Sequence, residues 1–181
     1  MDNDKPLETT ATSIPYSNQW MTVREDKTRR KNGEEGIYGY IEVGDSVTVV
    51  AVDETGRICI VETYRHQINS WVWELPGGGC DADDIFKAAR RELLEETCIE
   101  ARDFIDLNKT HVYSGLSTEY QHNLLTLNVQ VAEFVQTEDE TRNRKMITLD
   151  ELDNMIEKGD FSSNQSMVAL YLYKLWLGHR K

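Results

Sequence analysis

A chain of 181 residues, 39% hydrophobic and 29% charged, is long enough for one well-cored domain and is neither fibrous nor disordered in composition. Its formal net charge of −12 argues against a long nucleic-acid backbone as the main partner, because phosphate chains are held by clustered Lys and Arg. A small anionic substrate stays open, since a bound cation inverts the local sign. No apolar run approaches the roughly 20 residues of a membrane span, and no basic-then-apolar leader is read at the N-terminus. Cys59, Cys80 and Cys98 lack metal-site spacing, which points to a reducing cytoplasm and away from disulfides or zinc.

Residues 1 to 15 are polar and without periodicity, and are expected to be a mobile lead. Met21 to Lys27 alternates as a strand, Lys31-Asn32-Gly33 is a turn, and Ile37 to Val43 is a second strand. Asp45–Val52 and Arg57–Tyr64 are two more, joined by the hairpin turn Asp53-Glu54-Thr55-Gly56. Cys59 falls in the second of these as a small core residue. Trp71 to Leu75 is a short strand running into a glycine-rich turn. Past the helix that follows, Asp103 to Tyr113 holds one or two short strands. Leu124 to Val135 is a long strand apolar enough for a central place, and Lys145 to Leu149 is another. A short helix opens at Leu149, and Asn164 to Leu177 reads as a final amphipathic helix. Many strands with helices at a few points suggest an α+β fold.

The chemistry concentrates in Leu75-Pro76-Gly77-Gly78-Gly79-Cys80 and the helix from Ile85 to Thr97. Ile85, Ala88, Ala89 and Leu93 give that helix a buried face, and Asp83 or Asp84 can cap its start. Glu92, Glu95 and Glu96 stand at i, i+3 and i+4, so their carboxylates gather on neighbouring faces. Like charges at that spacing are unfavourable by a few tenths of a kcal/mol, and the helix dipole disfavours Glu95 and Glu96 near the C-terminal end. Arg91, four residues before Glu95, offsets part of this. Either the cluster is a solvated acidic face, or it serves a hard divalent cation such as Mg²⁺, which takes oxygen ligands.

Gly77, five residues, Asp83, seven residues, then Arg91-Glu92-Leu93-Leu94-Glu95-Glu96-Thr97-Cys98-Ile99 resembles the Nudix box. The Arg-Glu-aliphatic-any-Glu-Glu core matches at every position. Asp83 replaces the first glutamate of the box and Cys98 replaces the glycine after the helix; Gly78 is the alternative counterpart of the box glycine, with a loop one residue shorter. The resemblance implies a Nudix fold, a mixed β-sheet sandwiched between α-helices, with extra N-terminal antiparallel strands. It divides the chain into an N-terminal segment of residues 1–44, a dimerisation arm, and a Nudix hydrolase domain of residues 45–181.

Other segments resemble the ADP-ribose and nucleoside-diphosphate-sugar pyrophosphatase branch. They are Asn18-Gln19-Trp20 with Val23-Arg24-Glu25-Asp26, Tyr64-Arg65 preceded by Thr63 where glutamine is usual, and Trp73-Glu74-Leu75-Pro76-Gly77-Gly78. Tyr113-Ser114-Gly115 through Glu119 is similar to a fourth, with Ser114 in place of proline. By this resemblance Glu92 and Glu96 are the principal Mg²⁺ ligands, helped by Glu95 and the Gly77 carbonyl, with Mn²⁺ the alternative ion. Arg65 suits phosphate oxygens, or is a surface arginine at a strand end; Arg91 is grouped with it in substrate binding. Trp20 stacks on a base across a dimer interface, or is a plain core or interface tryptophan. The general base is Glu138, Glu140 or Glu119, with Glu95 as a further catalytic carboxylate. The implied activity is metal-dependent hydrolysis of a nucleoside diphosphate sugar by a cytoplasmic homodimer, ADP-ribose before GDP-mannose. The rivals are a nucleoside-triphosphate or RNA 5′-end pyrophosphohydrolase and a non-catalytic ligand sensor.

Overall fold

The computed structural model describes residues 5–80, 84–136 and 140–180. Among them the chain forms ten strands and three α-helices, arranged in two compact units: residues 45–110 with 121–181, and residues 1–44 with 111–120.

The larger unit is built on β4 (Ser46–Asp53) and β5 (Ile58–Arg65). Its sheet runs β10 (Thr141–Ile147), β5, β4, β9 (Tyr120–Val129), β8 (Ile105–His111); β6 (Ser70–Glu74) pairs with β5 and β7 (Gly77–Gly79) with β4. The β4–β9 pair is parallel and the β5–β10, β5–β6 and β4–β7 pairs are antiparallel, so the sheet is mixed. β4 is apolar from Val47 to Val52 except at Thr48 because both its faces are covered. Val47, Val49 and Ala51 pack with Cys59, Leu124 and the Ala88, Ala89 and Leu93 face of α1 (Ile85–Thr97). Val50 and Val52 pack on the other side with Ile58, Ile60, Leu152 of α2 (Leu149–Lys158) and Ala169, Leu170 and Tyr173 of α3 (Asn164–Gly178). Each fully buried Val, Leu or Ile among these contributes roughly 1.5–3 kcal/mol. Helices on both faces of a mixed sheet are the expected α+β sandwich.

The smaller unit holds a three-stranded antiparallel sheet of β1 (Leu7–Ser17), β2 (Met21–Arg30) and β3 (Glu35–Val43). Residues 111–120 join it: Ile41 N donates to Leu116 O at 2.8 Å, Thr118 N donates to Ile41 O at 3.0 Å, and Ile41 and Ser117 form a parallel bridge.

Several expectations need correction. The anticipated mobile lead is strand β1 from Leu7 onward; its side chains are exposed except at Leu7, so no hydrophobic alternation announces it, and pairing with β2 holds it. The glycine-rich turn is itself a strand, β7. β9 starts at Tyr120 and stops at Val129, where Asn128 takes a positive φ of 56°. β10 spans Thr141–Ile147, so it starts and ends earlier than the strand expected from Lys145 to Leu149. From Met167 onward α3 is apolar except at Lys174, with Tyr171 and Leu175 exposed, so it is less one-sided than an amphipathic helix.

Candidate functional site

Proline at position 76 cannot donate to a ladder, and the chain bends there: Val49 N donates to Pro76 O at 2.8 Å before β7 pairs with β4. The strand then lies so close to β4 at Gly77 and to α1 at Gly78 that side chains are excluded at both positions. A Cβ at Gly77 would stand 2.2 Å from Val47 O, and one at Gly78 would stand 2.5 Å from Glu92 Oε1. Gly78 is therefore the glycine that makes room for a glutamate, and Gly77 the one that lets two strands meet. Asp84 caps the helix, accepting from the Phe86 and Lys87 N–H groups at 3.0 Å each. Asp83, the other candidate cap, lies outside the described residues.

Helix α1 brings the three predicted glutamates to this strand. Gly77 N donates to Glu96 Oε2 at 2.8 Å, and Glu96 is buried, 7% exposed. Arg91 donates to Gly79 O at 3.0 Å and to Glu95 Oε2 at 3.2 Å, and it pairs with Glu92 Oε1 at 2.9 Å. Burial pulls its guanidinium pKa down, but the charges of Glu92 and Glu95 outweigh that and leave it above its ordinary value. Arg91 thus ties loop and carboxylates together, more than the simple i,i+4 offset read from the sequence.

Arg65 ends β5 and reaches back along the hairpin to buried Glu74, its Nε donating to Glu74 Oε2 at 2.9 Å and its terminal nitrogen donating to the same oxygen. Burial lowers its pKa, yet the Glu74 bond and the charges of Glu74, Glu96 and Glu140 more than restore it. Arg65 is therefore no free surface arginine; it shares one electrostatic environment with two of the predicted acids. Glu140 is exposed and sits where Tyr64 N donates to its carbonyl at 2.8 Å, just before β10. Glu138 lies outside the described residues.

Glu119 and Trp20 belong to the smaller unit. The Glu119 carbonyl accepts from Val112 N at 3.2 Å, beside the Thr118 contact with β3. Trp20 is 73% exposed, which removes the core reading and leaves a side chain open to stacking. Asn18 Oδ1 fixes its turn, accepting from the Trp20 and Met21 N–H groups at 2.8 and 2.9 Å.

Sequence reasoning assigned no role to Glu74 or Thr141, and noted Thr63 only as a departure from the branch pattern. Glu74 lies inside Trp-Glu-Leu-Pro, where only the hairpin register shows that it meets Arg65. Thr63 and Thr141 face each other across β5 and β10, buried to 3% and 2% exposure, and neither hydroxyl has a hydrogen-bond partner among the described residues.

Among the described residues, no three His, Cys, Asp or Glu side chains form a ready-made metal centre; the α1 glutamates instead engage Gly77 N and Arg91. The donor set is nonetheless all oxygen, partly desolvated, and set against backbone without side chains, which suits a hard divalent cation.

The comparisons with known proteins agree with this layout. The family model described as the NUDIX domain matches residues 43–170, and that described as the nucleoside diphosphate sugar hydrolase N-terminal domain matches residues 8–41. An ADP-ribose pyrophosphatase of Mycobacterium tuberculosis is 30% identical over 115 residues, 62% of this chain and 56% of that protein. The chain thus spans little more than half the length of that relative. A CMP-5'-(N-acetyl-N-hydroxy-3-aminopropyl)phosphonate hydrolase of Streptomyces rubellomurinus is 23% identical over 158 residues, 87% of this chain and 77% of that protein. A crystal structure described as an ADP compounds hydrolase superposes with a TM-score of 0.84 at 19% identity, covering 97% of this chain and 96% of that one.

Proposed function

The chain belongs to the Nudix hydrolases, and on that premise we propose that it cleaves the pyrophosphate of a nucleoside diphosphate sugar, releasing a nucleoside monophosphate and a sugar phosphate. ADP-ribose is the first candidate substrate and GDP-mannose the second. The observation that carries this reading is the seating of buried Glu96 on Gly77 N, with Glu92 in the space that Gly78 leaves. Glu92 and Glu96, with Glu95 and the Gly77 carbonyl, would hold a divalent cation, Mg²⁺ or Mn²⁺. Such an ion supplies charge neutralisation of the diphosphate and Lewis acidity at phosphorus.

This chain's own residues would do the rest. Arg65, kept charged and oriented by Glu74, presents its remaining donors to phosphate oxygens, and Arg91 aligns the carboxylates and the strand beside them. One of Glu140, Glu138 and Glu119 takes the proton of the attacking water as the bridging P–O bond breaks, with Glu95 as a further catalytic carboxylate. Of these, the charge of Glu140 acts on Arg65. Trp20 offers an exposed face for a nucleobase. Residues 1–44 serve as a dimerisation arm and residues 45–181 as the catalytic domain. Exposed Ile14, Tyr16, Ile37 and Tyr38 on the small sheet support a homodimer. No described helix is long and apolar enough to cross a membrane, and a cytoplasmic location goes with cysteines that form no disulfide.

The cytidylate-linked substrate in the name of the Streptomyces relative supports testing the base as openly as the sugar. Nucleoside-monophosphate release should be measured on ADP-ribose, GDP-mannose, CMP-linked compounds, nucleoside triphosphates and capped RNA, with Mg²⁺, Mn²⁺ or chelator. Metal-dependent turnover of nucleotide sugars is expected. Turnover of triphosphates or RNA alone would replace this reading, and silence with ligand-induced thermal stabilisation would make the protein a sensor. Glu119→Gln, Glu138→Gln and Glu140→Gln then identify the base by a loss of roughly 10²–10⁴ in kcat. Light scattering of the eluted protein reads the homodimer directly.

A further inference from the structure

A helix leaves its last carbonyls without intrahelical partners, and α1 ends at Thr97, one residue beyond Glu96. The buried Thr97 carbonyl accepts from a terminal nitrogen of Arg144, in β10. The other terminal nitrogen donates to Ala132 O at 2.7 Å, and the guanidinium carbon lies 5.5 Å from the centre of the Phe134 ring. Next to it Cys98, the C-cap residue, donates through its thiol to Val135 O at 3.3 Å. One arginine therefore joins β10, the end of α1 and the segment after β9.

Its location matters for Glu96. Arg144 stands opposite Val61 in the β5–β10 register, and Cys59, Val61, Thr63 and Arg65 alternate onto one face of the sheet. Cys59 packs there with α1, so Arg144 approaches the helix from the face that also carries Arg65. Glu96 lies in the last turn, where the helix dipole opposes a negative charge, and it is buried as well. A cation donating into the terminal carbonyl offsets that dipole and stops the turn from fraying. Without the guanidinium, the Thr97 and Ala132 carbonyls both lose a donor, and the turn that carries Glu96 loses one of its ties to the sheet.

We propose that Arg144 is a positioning residue for the divalent-cation site: it fixes the terminal turn of α1, and with it the Glu96 carboxylate, without touching cation or substrate. This rests on the cation reading above.

The test is Mn²⁺ binding to the full-length, metal-free protein, followed by the electron paramagnetic resonance signal of free Mn²⁺, with thermal denaturation alongside. Arg144→Met keeps the aliphatic stem and removes the donors. It should bind Mn²⁺ about 10-fold more weakly, in line with the loss of other groups that orient metal ligands. Arg144→Lys, which restores charge and one donor, should recover most of that loss. In turnover, Arg144→Met should lower kcat and leave KM nearly unchanged. Glu96→Gln is the reference and should weaken Mn²⁺ more than Arg144→Met does. Wild-type Mn²⁺ affinity in folded Arg144→Met, with Glu96→Gln impaired, overturns the proposal. Wild-type affinity in Glu96→Gln overturns the cation reading and this inference with it. If Arg144→Met is unfolded at the assay temperature, Arg144→Gln is judged by the same criterion.

Discussion

A methyl group added at Gly77 would stand 2.2 Å from Val47 O, one at Gly78 would stand 2.5 Å from Glu92 Oε1, and one at Gly79 would meet nothing within 4 Å. The obstacle at Gly77 is backbone, which cannot step aside; at Gly78 it is the end of a flexible side chain, which can. Gly77→Ala should therefore cost about 1–3 kcal/mol of stability, as overpacking does. Gly78→Ala should keep its fold and lose about 100-fold in kcat, because the carboxylate is pushed from its seat. Gly79→Ala should do neither. Melting temperatures and kcat for the three variants decide it, and full activity in Gly78→Ala would show that the place of Glu92 does not matter. Cys98 makes a second case. It caps α1 at φ 55°, a left-handed conformation that strains any residue with a Cβ. Its thiol contact with Val135 O is weak by comparison, so Cys98→Gly should stabilise by about 1 kcal/mol. A lower melting temperature in that variant would mean that the thiol contact outweighs the strain.

Helix α2 begins with a reciprocal cap. Thr148 Oγ1 accepts from Glu151 N at 3.2 Å, and Glu151 Oε2 accepts from Thr148 N at 2.8 Å. Thr148→Ala should cost about 1 kcal/mol, a melting shift of roughly 2–4 °C for a chain of this size, with kcat unchanged. The activity is spared because Leu152 of α2 packs in the core on the side of the sheet away from α1. A drop in kcat matching the loss of stability would link α2 to the site. The elements that the sequence made legible are those whose local chemistry agrees with their place. α1 has a cap, an apolar stripe and a charge pattern in one stretch, and β4 and β5 are apolar on both faces because both faces are covered. β1 was misread because backbone pairing with β2 holds it and its side chains stay exposed, leaving no alternation to detect. β7 was misread because three glycines signal a turn, while the cause of their smallness, Val47 on one side and Glu92 on the other, is tertiary. The same limit applies to the site. Glu92, Glu95, Glu96 and Arg91 are neighbours along one helix and could be read together. Glu74 and Arg144 reach the site only through strand register, to which spacing along the chain gives no clue.

The whole molecule carries a formal charge of −12, so its response to acid is the sum of two opposed effects. Protonating exposed carboxylates relieves self-repulsion, which favours folding as pH first falls from 7. Against this stand carboxylates that the fold holds ionised. The Arg142 hydrogen bonds keep Glu62 below the ordinary carboxylate range; burial alone would raise Asp53, but bonds from Thr55 and Arg57 outweigh it and leave its pKa lowered. A depressed folded pKa gives stability that is present above the unfolded value, near 4, and lost as pH falls through the folded one. The melting temperature should thus hold or rise slightly from pH 7 to about 5 and drop below about 4. Glu62→Gln should melt lower at pH 7 and lose less on acidification; an acid limb as steep as wild type would take Glu62 out of the account. The division of the chain also matters while the protein is being made. The smaller unit starts with residues 1–44 but needs residues 111–120, and Thr118 lies 75 positions beyond its partner Val43. At 5–20 residues per second the ribosome takes roughly 4–15 s to deliver that piece. For that interval β3 is an open sheet edge on a tethered chain, free to pair with its counterpart on the next ribosome of the same message. That exposure falls during translation, before the finished protein exists.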